Sequence, residues 1–205
     1  MNGYLGKILY IDLEKQSFRI QTFDEAFARK YLGGNGFAIK ILYDGIKPGT
    51  DPFSSENILV FAVGPITDTP VPGTSRAYVA TKSPLTGNFF DSTFGGRFAI
   101  TQKRTGFEAI VIRGKSTNPV YLFVNEEGGK ILPAEKFRGK TTQETIKELL
   151  KTHGDKTDVA AIGPAGEAGV RFAGISHQWK GREGMAGRGG IGAVMGSKNL
   201  KAIVV

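Results

Sequence analysis

The sequence predicts an α+β fold whose framework is mostly sheet and which carries an internal duplication. Three observations point there. Short runs of β-branched and aromatic residues recur along the chain, closed by Gly, Pro or Asn. Helical periodicity is confined to a few segments. Four local features also appear twice in the same order, the mark of a repeated unit.

Taken in order, Lys7 to Leu13 reads as the first strand, and Asp24 to Leu32 as a helix stopped by Gly33 and Gly34. Phe37 to Tyr43 resumes the helical pattern. Strands are expected at Ile58 to Val63 and Ala77 to Lys82, a helix at Gly95 to Lys103, and strands again at Phe107 to Arg113 and Pro119 to Asn125. Thr141 followed by Glu144 is a capping box, and Ile146, Leu149 and Leu150 place an apolar face on the helix that runs to Gly154. The remaining strands are Asp158 to Ile162, Val170 to Ile175 and Lys201 to Val205. The chain stops on that apolar strand without a polar tail, which suggests that it continues.

The repeat is carried by Ala62-Val63-Gly64-Pro65 and Ala161-Ile162-Gly163-Pro164, each closing a strand. Each is followed by a strand opening with an arginine, Arg76-Ala77-Tyr78-Val79 and Arg171-Phe172-Ala173-Gly174. A double-glycine loop comes next, at Gly95-Gly96 and Gly189-Gly190, then an apolar strand at Ala109-Ile110-Val111 and Ala202-Ile203-Val204. Such a duplication predicts two similar half-sites facing each other, suited to a ligand of two like units.

At 205 residues with 40% hydrophobic content, the chain can build a substantial core. Its apolar runs are far shorter than a membrane helix, and the start lacks the layout of a signal peptide, so a cytoplasmic protein with no membrane partner is expected. The absence of cysteine excludes disulfides and any thiolate-held cluster within these residues. The net charge of +8 suits an anionic partner, whether a phosphate-bearing cofactor, nucleic acid or anionic membrane, or simply a solvated basic surface.

Gly187-Arg188-Gly189-Gly190-Ile191-Gly192 matches the dinucleotide-binding G-x-G-x-x-G in form. No strand is expected to run directly into its first glycine, and the chain ends too soon for the acidic residue that would hold a ribose. What remains is a glycine loop whose backbone can approach a phosphate, flanked by Arg182 and Arg188, or else a tight structural turn. Between Arg76 and Gly96, Pro84 and Gly87 force a turn that returns Thr93 to Gly96 close to Arg76, either as a glycine-lined wall or as an ordinary hairpin loop. His153 and His177 have no metal-ligand spacing and read as surface histidines. No nucleophile elbow, Walker loop or carboxylate pair stands out, so the chemistry would be that of a cofactor.

The opening Gly3-Tyr4-Leu5-Gly6-Lys7-Ile8-Leu9, the Ala62 to Pro65 turn, Thr81 to Gly87, Ala161 to Glu167 and the long closing stretch from Ala186 to Ile203 together resemble one family. It is the tungsten-containing aldehyde ferredoxin oxidoreductases, and the resemblance is to their N-terminal domain over residues 1–205. The resemblance implies two large β-sheets with a few helices, forming a base for tungsten or molybdenum held by two pterin dithiolenes whose phosphates a magnesium ion bridges. It implies that Arg76 with Thr93, Phe94, Gly95 and Gly96 binds one pterin, and that Gly184, Met185, Ala186, Gly187 and Arg188, with Arg182 nearby, bind the other. Backbone carbonyls of Thr93 and Met185 would hold the magnesium. Two positions depart from the family pattern: Thr93 stands where Asn is frequent, and Gly184 stands where an Arg commonly precedes the loop.

By the same resemblance, a [4Fe-4S] cluster belongs to later domains, which are the chain's first partners. Ferredoxin would be the electron acceptor for aldehyde oxidation, in an enzyme that is a homo-oligomer. A benzoyl-CoA-reductase-like subunit is the alternative within the family. A basic nucleic-acid-binding β-domain is the alternative outside it, although no stripe of aromatics interleaved with Lys or Arg is visible.

Overall fold

The computed structural model describes residues 2–205. The first half forms a six-stranded sheet from β1 (Lys7–Asp12), β2 (Ser17–Thr22), β3 (Leu59–Ala62), β4 (Ala77–Lys82), β5 (Phe89–Phe94) and β6 (Ala109–Arg113), in the order β2-β1-β6-β3-β4-β5. The second half forms another from β7 (Val120–Asn125), β8 (Gly128–Pro133), β9 (Val159–Ala161), β10 (Ile175–Trp179), β11 (Arg182–Ala186) and β12 (Leu200–Val204), in the order β11-β10-β9-β12-β7-β8. Read from opposite ends, the two orders are the same. Each sheet contains one parallel pair, β1 with β6 and β7 with β12, and every other neighbour is antiparallel.

The duplication holds at the level of register. Ala62 faces Ala109 in the first sheet and Ala161 faces Ala202 in the second, which are the positions the repeated motifs single out. The arginine-led runs match only in order. Arg76 immediately precedes β4, whereas Val170 to Gly174 form a turn closed by Ala173 N–H on Val170 O (2.8 Å), and the strand expected at Val170 to Ile175 is instead Ile175–Trp179. That bond closes the run on itself, and Gly169 enters it in the left-handed region.

One core lies between the sheets. Leu9, Ile11, Phe61, Ile110 and Ile112 from the first sheet meet Leu122, Ile175 and Ile203 from the second. The helices α3 (Phe98–Arg104) and α6 (Ile191–Ser197) add Phe98, Ala99, Ile191 and Met195 to it. Outside the first sheet, α1 (Glu25–Tyr31) and α2 (Asn35–Gly45) cover Ile8, Val60 and Val111 with Phe37, Ala38 and Ile41. Outside the second, α4 (Thr142–His153) lays Ile146 and Leu149 over Tyr121, Val159 and Val204. Because both faces are covered at the middle of each sheet, central strands such as β6 read as continuous apolar runs rather than alternating ones.

The helix ends follow local chemistry. Asp24 caps α1 by accepting the Phe27 N–H at 2.8 Å, and Leu32 turns left-handed to end it. Thr141 and Glu144 form the expected reciprocal box at α4. The helix expected from Gly95 starts only at Phe98, since Gly95 to Arg97 form a turn. The short α5 (Pro164–Glu167) and α6 are not apparent from periodicity, being rich in Gly and Ala.

Candidate functional site

The edge strands β5 and β11 occupy the same place in the two repeats, and they meet. Thr93 pairs with Tyr78 and Met185 pairs with Ser176, and these are equivalent registers, so Thr93 and Met185 are equivalent residues of the two halves. Gly184 lies against Gly95, where an added Cβ would come within 3.2 Å of the Gly95 carbonyl oxygen and 3.5 Å of Phe94 Cβ. The two strands therefore cross within a residue or two of the Thr93 and Met185 positions.

Each strand runs into a turn. After β5, the backbone N–H groups of Gly95, Gly96 and Arg97 have no partner among the described residues, and after β11 the same holds for Gly187, Arg188 and Gly189. Ser75 Oγ donates a hydrogen bond to the Gly96 carbonyl. Arg76 reaches across from the start of β4, and its Nη1 donates to Thr93 Oγ1 at 3.2 Å, so the return of this segment towards Arg76 is as expected. The hydroxyl of Thr93 thus finds an intramolecular partner at the position that departs from the family pattern.

The second turn is stitched to the first half. Ser83 Oγ, in the turn between β4 and β5, donates to the Gly189 carbonyl at 2.7 Å, and the Phe90 ring fills the space where a Gly189 side chain would stand. Arg188 adopts φ 62° and Gly189 and Gly190 follow in the left-handed region, a backbone that directs successive N–H groups outward. A strand does run into Gly187 and a helix follows at Ile191, contrary to expectation. The arrangement is still not a dinucleotide fold, because β11 and β12 lie at separate positions in the sheet and run in opposite senses, with β10 and β9 between them.

Arg76, Arg182 and Arg188 are exposed, and none of them forms an ion pair among the described residues. Arg182 opens β11 opposite Trp179, three residues before Met185, which is 59% exposed. Phe94 and Ala186 are buried beneath the crossing. Two turns with free amide N–H groups, accompanied by guanidinium groups without ion pairs, make a basic surface that can accept anionic oxygens. No group of three or more His, Cys, Asp or Glu that could hold a metal exists among the described residues, so any ion here would rely on carbonyls and on ligand oxygens.

Neither histidine is a free surface group. His177, expected in a polar loop, is 1% exposed, and its ring packs 5.7 Å from Phe94 and 5.9 Å from Phe98. Burial lowers its pKa, and the nearby Arg97 guanidinium lowers it further, against the raising effect of Asp158 and the Val159 carbonyl. His153 stacks on Phe123 at 4.6 Å and meets the Tyr121 hydroxyl at 3.2 Å, and burial lowers its pKa also.

Residues 8–205 match the family model described as aldehyde ferredoxin oxidoreductase, N-terminal domain. The chain belongs to that family. Across its whole length it is 50% identical to the tungsten-containing aldehyde ferredoxin oxidoreductase of Pyrococcus abyssi and 40% identical to that of Thermococcus kodakarensis. It spans about a third of those relatives, 33% and 34% respectively. A solved structure of the active-site complex BamBC of benzoyl coenzyme A reductase superposes with a TM-score of 0.95 at 41% identity, covering 100% of this chain and 31% of that one. The chain is therefore a domain of an oxidoreductase family, and both curated relatives named above are described as tungsten-containing. Within it, no helix among the described residues is long and apolar enough to cross a membrane.

Proposed function

We propose that this domain, spanning residues 1–205, cradles a bis-pterin tungsten or molybdenum cofactor at the crossing of β5 and β11. The observation that carries the reading is the equivalence of Thr93 and Met185, which offers a two-unit ligand two like half-sites. The turn at Gly95 and Gly96 with Arg76 would take one pterin, and the turn from Gly187 with Arg182 and Arg188 would take the other. Carbonyls of Thr93 and Met185 would help to hold a magnesium ion, which would offset phosphate charge there. The residues present fit such a group. The site offers unpaired amide donors, unpaired guanidinium groups and glycines where side chains would intrude, with no acidic side chain among the proposed ligands.

When bound, the metal supplies oxygen-atom and electron-transfer chemistry, and the protein's part is orientation and charge neutralisation. We read the full enzyme as oxidising aldehydes to carboxylic acids, with ferredoxin as acceptor and a [4Fe-4S] cluster in domains beyond these residues, in a cytoplasmic homo-oligomer. A benzoyl-CoA-reductase-like subunit is the second reading, favoured by the likeness to the BamBC complex. A nucleic-acid role is not favoured, since helices or the opposing sheet cover both faces of the central strands.

The test is elemental analysis for W, Mo, Mg and Fe, with pterin fluorescence, on the intact gene product purified without oxygen. Two pterins per W or Mo with associated Mg is the expected result, and a product with neither metal nor pterin would overturn the cradle. Reduction of ferredoxin with aldehydes, set against turnover of a cyclic dienoyl-CoA, separates the two enzyme readings.

A further inference from the structure

His177 is the buried group that the cradle, as described, leaves unused. Its Nδ1 lies 3.2 Å from the Val159 carbonyl oxygen, which can only accept, so Nδ1 carries the proton and Nε2 presents a lone pair. That Nε2 is buried and has no hydrogen-bond partner. A buried acceptor left unpaired is costly, which makes it a sign of an interaction completed under other conditions.

The ring sits directly beneath the Gly95 to Arg97 turn. A Cβ on Gly96 would stand 2.7 Å from Nε2, so only glycine fits over the imidazole, and Gly96 has φ 100°. The turn is held on its other sides. Ser75 donates to the Gly96 carbonyl, and Arg97 is fixed by Asp158 at 2.7 Å and by the carbonyls of Asp155 and Thr157, both at 2.8 Å. Unpaired amide donors and an unpaired acceptor are therefore packed close together around Gly96, a residue with no side chain to keep them apart.

We propose that His177 is a positioning residue of the cradle, its unprotonated Nε2 accepting an N–H of the Gly95 to Arg97 turn and so holding that half-site in its ligand-binding shape. The equivalent position of the first repeat is Val79, since Tyr78 corresponds to Ser176, so the opposite turn has no such acceptor. The two half-sites are alike in backbone and unlike in support, and only the Gly95 half depends on an imidazole.

This inference rests on the reading of that turn as half of a cofactor site. The test compares His177→Phe and His177→Gln with the unaltered intact enzyme, measuring pterin retained after anaerobic gel filtration alongside the thermal midpoint. Phe fills the aromatic box without an acceptor, whereas Gln returns one near Nε2. The expected result is a Phe variant at least as heat-stable as the parent that loses pterin roughly tenfold faster, with retention largely restored in the Gln variant. A Phe variant that holds pterin like the parent would overturn the proposal, as would a Gln variant that fails as badly as Phe while folded. Should the unaltered enzyme itself carry no pterin, the cradle reading fails instead.

Discussion

Lys198 sits just past α6 with its ammonium buried, donating to the carbonyls of Asn57 at 2.5 Å, Gly114 at 3.2 Å and Ser55 at 3.4 Å. It ties the second repeat to a loop of the first. Replacing it by Met leaves those carbonyls without their donor, and a loss of about 1–3 kcal/mol in unfolding free energy is expected by denaturant titration near pH 7. Burial pushes the lysine pKa down to about 8 from 10.5, with Arg113 adding to the effect. Between those values the unfolded chain binds more protons than the folded one, so the lysine's contribution to stability rises as pH climbs from about 8 towards 10.5. The Met variant should lose that alkaline component of the stability profile. The histidines act at the other end of the scale. The pKa values of His153 and His177 both lie below the ordinary 6.5, so their stabilising contribution is complete above that pH and is lost as pH falls through the lowered values. Thermal midpoints measured from pH 7.5 down to 5 should fall for the parent, and fall less for His177→Phe.

At the scale of elements, α6 shows why some of the fold was legible and some was not. Its sequence Ile191 to Ser197 contains two glycines, and propensity argues against a helix there. The glycines are required by packing, because a Cβ at Gly192 would stand 2.2 Å from the Gly174 carbonyl oxygen and one at Gly196 would stand 2.0 Å from that of Gly166. Gly192→Ala should therefore destabilise by about 3 kcal/mol, even though alanine is the better helix former; a gain in midpoint would remove the packing argument. The opposite case is α4, where the capping box is written in the sequence, and Thr141→Ala should cost about 1 kcal/mol. Strands buried on both faces were legible as apolar runs. The edge strands β5 and β11 were not, because β5 mixes Asp91, Ser92 and Thr93 with its aromatics and β11 carries Arg182, Glu183 and Gly184. The features that make them candidate ligand-binding strands are those that hide their periodicity.

For the whole molecule, the duplication was readable because it preserves strand ends, and the pairs Ala62 with Ala109 and Ala161 with Ala202 kept their residues. The half-sites followed from it, while His177 did not, since nothing in the local pattern signals that a residue of the second repeat packs under a turn of the first. This crossing-over of support has a thermodynamic consequence. The two repeats share one core between their sheets, with Phe61 of the first half and Ile175 of the second in the same cluster, so neither sheet can lose its partner without exposing its inner face. The single tryptophan, Trp179, belongs to a strand of the second half, and its Cβ lies beside the Gly96 turn of the first. Phe61→Ala, a change confined to the first sheet, should cost about 3–5 kcal/mol and move the Trp179 fluorescence transition to lower denaturant together with the far-UV circular dichroism transition. If the repeats were independent units, the dichroism would split into two steps, the second staying at the parent's denaturant concentration. A coincident shift would mean that the half-sites are held in mutual register by the core itself.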